Sequence, residues 1–276
     1  MKQTMKTIFA IILIVFAGIN TNSIAQNTSE NNTENTFILI VGGENGDVEE
    51  KQSKDRSIIK LREFSINNAK IKPECLSVLV SGNSFAYRNC KVSTSENLEK
   101  ALTGFSVSIQ PTDRFVFYYV GQANTVGGKL RLNLPGNDIT HEQLAGWINK
   151  IKASKMLVVL DCPGAGTAIK SLTNNGRIII CGARSDQPYS TRFSEYFIPA
   201  MADSQADTDS DGGISILEAF TLASKQLDDL YRQQDLLKTE SPILEDNGDG
   251  IPTQQPWRYK QDENDGSSAA SFFWED

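Results

Sequence analysis

Five largely apolar runs, most of them separated by helical stretches, constrain the fold of this chain more than any other feature. They cover residues 37–41, 75–80, 114–120, 156–160 and 177–181. An apolar run without polar alternation reads as a strand buried on both faces. The first closes in Gly42-Gly43 and the second in Ser81-Gly82-Asn83, both turn chemistry. Helical stretches are predicted over residues 48–67, 95–102 (capped by Ser93 or Thr94), 140–151, 192–201 and 215–237. Thr140 is a predicted N-cap, with Gln143 completing a capping box. Strands alternating with helices predict an α/β fold with a mostly parallel sheet flanked by helices. Right-handed crossovers then bring the residues after Val120 and after Leu160 to one edge of the sheet. Sites of open α/β sheets are built at the carboxyl ends of the strands.

The N-terminus reads differently. Lys2 and Lys6 make a basic start, residues 8–19 are apolar, and Ser23 and Ala25 place small residues before Gln26. An apolar run of about a dozen residues is short for a membrane span. Residues 1–25 therefore read as a secretory signal peptide cut before Gln26, which implies a periplasmic or secreted protein. The alternative is an uncleaved anchor. No Cys follows the apolar run, which argues against lipid attachment. Residues 26–36 are rich in Asn, Thr, Ser and Glu and read as a flexible leader.

The formal charge is −7, and signal cleavage removes two further positive charges. Such a chain lacks the basic footprint of a nucleic-acid binder. Cys75, Cys90, Cys162 and Cys181 all survive cleavage, and an even count in an exported protein permits two disulfides. Cys75–Cys90 and Cys162–Cys181 are the pairings sequence position suggests; buried free thiols are the alternative.

The fourth apolar run leads into Asp161-Cys162-Pro163-Gly164-Ala165-Gly166. This turn resembles that of caspase-like and legumain-like cysteine peptidases, which reads Asp-Ala/Cys-Cys-His-Ser-Gly. Asp161 matches the acid, Gly166 matches the glycine, and the nucleophile position is Pro163. After the third run, peptidases of this kind carry His-Gly; here Gln122-Ala123 stands there. Weaker likenesses to bacterial exported relatives of legumain run through residues 132–136, 192–197, 206–212, 218–220 and 240–250. Together they span residues 37–251, close to a domain boundary set at 252. The resemblance implies a three-layer caspase-like fold whose catalytic site is degenerate.

The chemistry of the two positions agrees with that implication. Gln122 cannot take a proton at neutral pH. Pro163 has neither a nucleophile nor the backbone N–H that helps hold an oxyanion in this fold. Cys162 lies one residue away, so its side chain is expected to point into the sheet packing. His141, the single histidine, sits in the first turn of a helix and reads as solvated. Residues 163–167 lack the pattern of a phosphate-binding loop.

One further motif carries chemistry. Asp207-Thr-Asp209-Ser-Asp211-Gly212-Gly213-Ile-Ser215-Ile-Leu-Glu218 fits a twelve-residue EF-hand loop. Asp207, Asp209 and Asp211 fill positions one, three and five. Gly212 makes the sharp turn, Gly213 offers a carbonyl, Ser215 is position nine, and Glu218 is the closing bidentate acid. The competing reading is an acidic approach to a helix, favoured by capping and the dipole without a metal. Residues 246–250 form a second acidic turn without a closing Glu. Phe272, Phe273 and Trp274, in an extension over 253–276, are expected to close the core, with a docking strip as the alternative.

The resemblance and the loop thus imply an exported, inactive peptidase homologue acting as a binding module for a peptide or protein partner or as a structural module, stabilised by calcium. The alternative is an active cysteine-type endopeptidase with a non-standard nucleophile and base.

Overall fold

The structure, a computed structural model, describes residues 34–82, 90–258 and 264–274. In chain order the strands are β1 (Thr36–Gly42), β2 (Leu76–Val80), β3 (Lys91–Val92), β4 (Arg114–Val120), β5 (Ala123–Val126), β6 (Lys129–Leu132), β7 (Ile139–Thr140), β8 (Lys155–Asp161), β9 (Arg177–Cys181) and β10 (Ile243–Glu245). The helices are α1 (Val48–Asn67), α2 (Ser95–Ser108), α3 (His141–Ile148), α4 (Ile169–Leu172), α5 (Phe193–Ala200), α6 (Ile216–Gln233) and α7 (Ser267–Ala270). The predicted signal segment and residues 26–33 of the leader lie outside the described residues. Among the described residues no helix is long and apolar enough to cross a membrane.

The main sheet has seven strands in the order β10-β9-β8-β4-β1-β2-β3. All neighbours pair in parallel except β10, which runs antiparallel to β9. The chain starts in the middle, winds outward through β2 and β3, and then crosses back to β4 on the other side of β1. Residues of β1 and β4 alternate between two cores. Ile38, Ile40, Val116 and Tyr118 face α1, α5 and α6, whereas Leu39, Val41, Phe115 and Phe117 face α2, α3 and α4. A central strand buried this way gains about 1.5–3 kcal/mol per large apolar side chain on either face. The result is three layers, as the strand–helix alternation predicts.

Local chemistry explains the helix boundaries. The α1 helix is polar overall, but Lys54, Ser57, Ile58, Leu61, Phe64 and Ser65 fall on one buried face. Asp47 caps it by accepting the Glu50 amide at 2.8 Å. Thr140 and Gln143 form the expected reciprocal capping box of α3. Ser215 and Glu218 form a second one at α6.

The small sheet β5-β6-β7 is not anticipated by the strand reading. Its first two strands are joined by Gly127-Gly128, both at positive φ, which is a hairpin signal in its own right. The sheet covers His141, which is buried with Nδ1 3.4 Å from the Leu130 carbonyl oxygen. The expectation of a solvated histidine is therefore corrected: β6 supplies the cover that a helix first turn lacks by itself.

Neither permitted disulfide is present, and all four cysteines are free thiols. Lys91 is level with Leu79, so Cys90 sits about three residues, or ~10 Å, along β2 from Cys75. Cys181 is level with Leu160, two residues short of Cys162.

The C-terminal residues belong to the core. Phe272 and Trp274 are buried, and Trp274 packs edge-on against Phe64 with centroids 6.0 Å apart. Phe273 bridges to Ser215 in antiparallel fashion, and its carbonyl accepts from Arg114 Nη1 at 2.8 Å.

Candidate functional site

Strands β4 and β8 are neighbours with Val120 level with Asp161, so the two turns singled out by sequence do meet. The Gly121 amide donates to the Asp161 carbonyl at 3.3 Å. Beside them the crevice between β1 and β4 is sealed by backbone. A Cβ on Gly121 would lie 2.6 Å from the Gly43 Cα, so only glycine permits this approach.

Gln122 is tied down by side-chain hydrogen bonds. Its Nε2 donates to Glu50 Oε1 at 2.5 Å and to Ser190 Oγ at 2.6 Å. Glu50 also pairs with Lys54 at 3.0 Å and accepts the Gly46 amide at 2.8 Å. Burial pushes the Glu50 carboxyl upward, but Lys54 and the bonds from Gln122 and Gly46 outweigh it and hold it below the ordinary carboxylate range. Lys54, itself buried, donates to the Gly121 carbonyl at 3.0 Å. The α1 N-terminus is thereby fastened to the end of β4.

The turn after β8 is likewise committed. Pro163 is buried. The next amide, Gly164 N–H, donates to the Gln187 carbonyl at 2.8 Å, and the Gly166 amide donates to the Ala183 carbonyl at 3.0 Å. Both acceptors lie on residues 182–192, a strap that leaves β9, crosses the Pro163 turn and enters α5. Ser190, the partner of Gln122, is on the same strap. Cys162 points into the core as expected, and burial together with Cys181 pushes its thiol well up. A thiol so placed is inert. The strap, Glu50 and Gln187 are functional-region residues that the sequence reading misses. Their contacts join residues far apart in sequence, such as Glu50 with Gln122 and Gln122 with Ser190, which no local pattern marks.

The acidic loop leads into α6. Asp207, Asp209 and Asp211 each bring a carboxylate oxygen within 4.8 Å of the others. The loop is shaped by amides folding onto these acids: Gly212 to Asp207 Oδ2 at 3.2 Å, Asp211 to Asp209 Oδ1 at 3.1 Å, and Gly213 to Asp211 Oδ1 at 2.8 Å. Gly212 has φ +89°, the sharp turn expected of the sixth position. Asp207 Oδ1 is buried and accepts no hydrogen bond.

The remaining predicted ligands are placed differently. Glu218 Oε2 accepts from the Ser215 amide at 3.0 Å and its hydroxyl at 2.9 Å, so the two act as a helix cap. Burial raises the Glu218 carboxyl, but the amides of Ser215 and Thr208 outweigh it and hold it low. Gly213 lies against the Phe273 ring, which a Cβ would approach to 2.8 Å. Beside the loop is a cavity of about 700 Å³, lined by Asp207, Asp211, Arg114, Lys155 and Phe273.

The second acidic turn proves to be an anchor. Asp246 is buried, and its two oxygens accept the amides of Gly266 and Ala269, each at 2.7 Å. Neighbouring Glu245 accepts the Gly248 and Gly250 amides at 2.8 and 3.2 Å.

No protein-family model matches this chain, and no curated protein matches it either.

Proposed function

We propose that this chain is an exported, catalytically inactive homologue of caspase-like and legumain-like peptidases that works by binding. The cleft at the ends of β4 and β8 takes an extended peptide or partner segment without cutting it. The observation that carries this reading is the occupancy of both reactive positions by structural bonds. Gln122 is tied to Glu50 and Ser190, and the Gly164 amide beside Pro163 is tied to Gln187. Nucleophilic catalysis needs a thiolate or alkoxide with a base in reach. Gln122 supplies no base, and the nearest sulfur, Cys162, is in the core.

The acidic loop acts in this proposal as a calcium site that stabilises the module. Three carboxylates held together, one with a buried unsatisfied oxygen, fit a hard cation better than they fit water. Extracellular loops of this kind bind with dissociation constants of about 10⁻⁴–10⁻³ M.

The test pairs two measurements on the chain from Gln26 to Asp276. Fluorogenic peptide libraries are expected to show no hydrolysis, with or without reductant. Peptide arrays are expected to show binding that Gln122→Ala or Ser190→Ala alters. Turnover abolished by alkylating Cys162 would replace this reading with an active peptidase.

A further inference from the structure

Two carboxylates, Asp161 and Glu240, are buried side by side behind the strap, 1% and 0% exposed. Each grips the chain where the strap becomes α5. Glu240 Oε2 accepts the Arg192 amide at 2.8 Å, and Asp161 Oδ2 accepts the Ser194 amide at 2.8 Å. The other oxygen of Asp161 is buried and accepts no hydrogen bond. The residue after Glu240 grips the strap at its middle: Ser241 Oγ accepts from Gln187 Nε2 at 3.2 Å. Gln187 is the residue whose carbonyl holds the Gly164 amide of the Pro163 turn. A short path therefore joins Glu240 to the closure of the turn.

The charges around Glu240 do not balance it. From β8 it faces Asp161, from α6 Tyr231, from α5 Tyr196, and from the strap Arg192, an exposed residue. Asp161 in turn faces Tyr118 of β4, which bonds Ser194 at 2.9 Å, and adjoins Cys162, which Lys54 of α1 faces. A proton on Glu240 has a place to go. Tyr231 Oη donates to Glu240 Oε1 at 2.9 Å and lies 2.9 Å from Thr239 Oγ1, so on protonation of Glu240 the first bond can reverse while Tyr231 donates to Thr239 instead.

We propose that the Glu240 proton is the latch of the strap: while it is bound the strap stays closed over the Pro163 turn, and its loss opens the carboxyl end of the sheet. The consequence for binding rests on the reading of that end as the partner cleft. Burial, with Asp161 adding to it, pushes the Glu240 carboxyl up to about 8. An opened strap lets water reach Glu240 and returns it toward the ordinary value of 4.5. Opening then releases a proton across that interval. The closed strap is tightest in acid, and the opening constant grows about tenfold per pH unit until it levels near pH 8.

Hydrogen exchange of the Gly164, Gly166 and strap amides, corrected for the intrinsic rate, reads this directly. Protection in the full chain is expected to fall about fiftyfold between pH 6 and pH 8 and then level. Glu240→Gln, which mimics the protonated acid, is expected to stay protected throughout. Identical profiles for wild type and variant would overturn the latch. Carboxyl ¹³C titration of the wild-type protein guards against a variant that fails to fold. A Glu240 that titrates near 4.5 rather than about 8 likewise overturns the latch. Exchange needs no peptide, so absent peptide binding with a persistent pH-dependent opening would sink the cleft and leave the latch standing.

Discussion

Glu218 and Thr208 are joined across the acidic loop: Glu218 Oε1 accepts the Thr208 amide at 2.8 Å and its hydroxyl at 3.2 Å. The closing acid of the calcium-type loop is thus engaged at both oxygens, as a helix cap on one and a loop clasp on the other. In the proposed calcium site the ion would share this acid or turn it. Glu218→Gln keeps the helix cap, because glutamine serves a capping box as well as glutamate does, but it turns an NH2 group toward the Thr208 amide and so gives up the loop clasp. Wild-type protein is expected to gain about 3–6 °C in Tm in calcium at ten times its Kd, a stabilisation of about 1.4 kcal/mol. Asp209→Ala, which leaves both Glu218 contacts in place, is expected to lose that gain while keeping most of the metal-free stability, and Glu218→Gln to lose it together with part of the metal-free stability. A calcium response unchanged in both variants would leave the loop as a helix cap only.

Much of this architecture is legible in the sequence. The strand Arg114–Val120 and the helix Val48–Asn67 fall where the apolar run and the polar stretch place them. The Thr140–Gln143 capping box is readable because capping is local chemistry. What is not legible is non-local. The strap is polar, contains Pro188 and reads as an ordinary loop, yet its carbonyls close the Pro163 turn. Glu240 carries no sign that it is buried, since its partners are an amide, a tyrosine and another acid. His141 looks solvated until β6 is laid over it. The meeting of Gln122 and Pro163 at one edge follows from strand order, but Glu50 as the partner of Gln122 does not.

Asp246 predicts how the C-terminal residues are held. Asp246→Ala strips two buried amides, Gly266 and Ala269, of their acceptor. Each orphaned buried donor costs about 1–3 kcal/mol. Denaturant unfolding is expected to show a loss of about 2–5 kcal/mol, with exchange protection lost first over residues 266–274. Trp274→Ala, which empties the contact with Phe64, is expected to cost about 3–5 kcal/mol. If truncation after Ser271 leaves stability intact, the tail is not part of the core.

Asp265 predicts a pH slope distinct from that of Glu240. Burial raises its carboxyl to about 6, despite the bonds from Thr253 and the Asp246 amide. The unfolded chain ionises near 3.8, so the folded state holds the extra proton between those values. Its contribution is full below pH 3.8 and is lost as pH rises through about 6. Asp265→Asn is expected to flatten the fall in stability between pH 4 and pH 6 and to leave the pH 6–8 interval unchanged. Thermal unfolding across that range checks it; an unchanged slope at pH 4–6 would assign the titration elsewhere.

Gln122 supplies the last test of the proposed function. As the residue that fastens Glu50 to the strap through Ser190, it contributes to stability whether or not a partner binds. Gln122→Ala leaves the Glu50–Lys54 pair in place but removes a bond to a charged acceptor, for an expected cost of about 1.5–3 kcal/mol. Introducing the residues of the proposed family, Gln122→His with Pro163→Cys, is expected not to give turnover. The Gly164 amide remains given to Gln187, and the strap still covers the turn. Adding Ser241→Ala, which frees Gln187 from its second anchor, is the change that exposes the rebuilt pair. Peptide hydrolysis by the double variant alone would show that the missing side chains, and not the strap, are what keep this site silent.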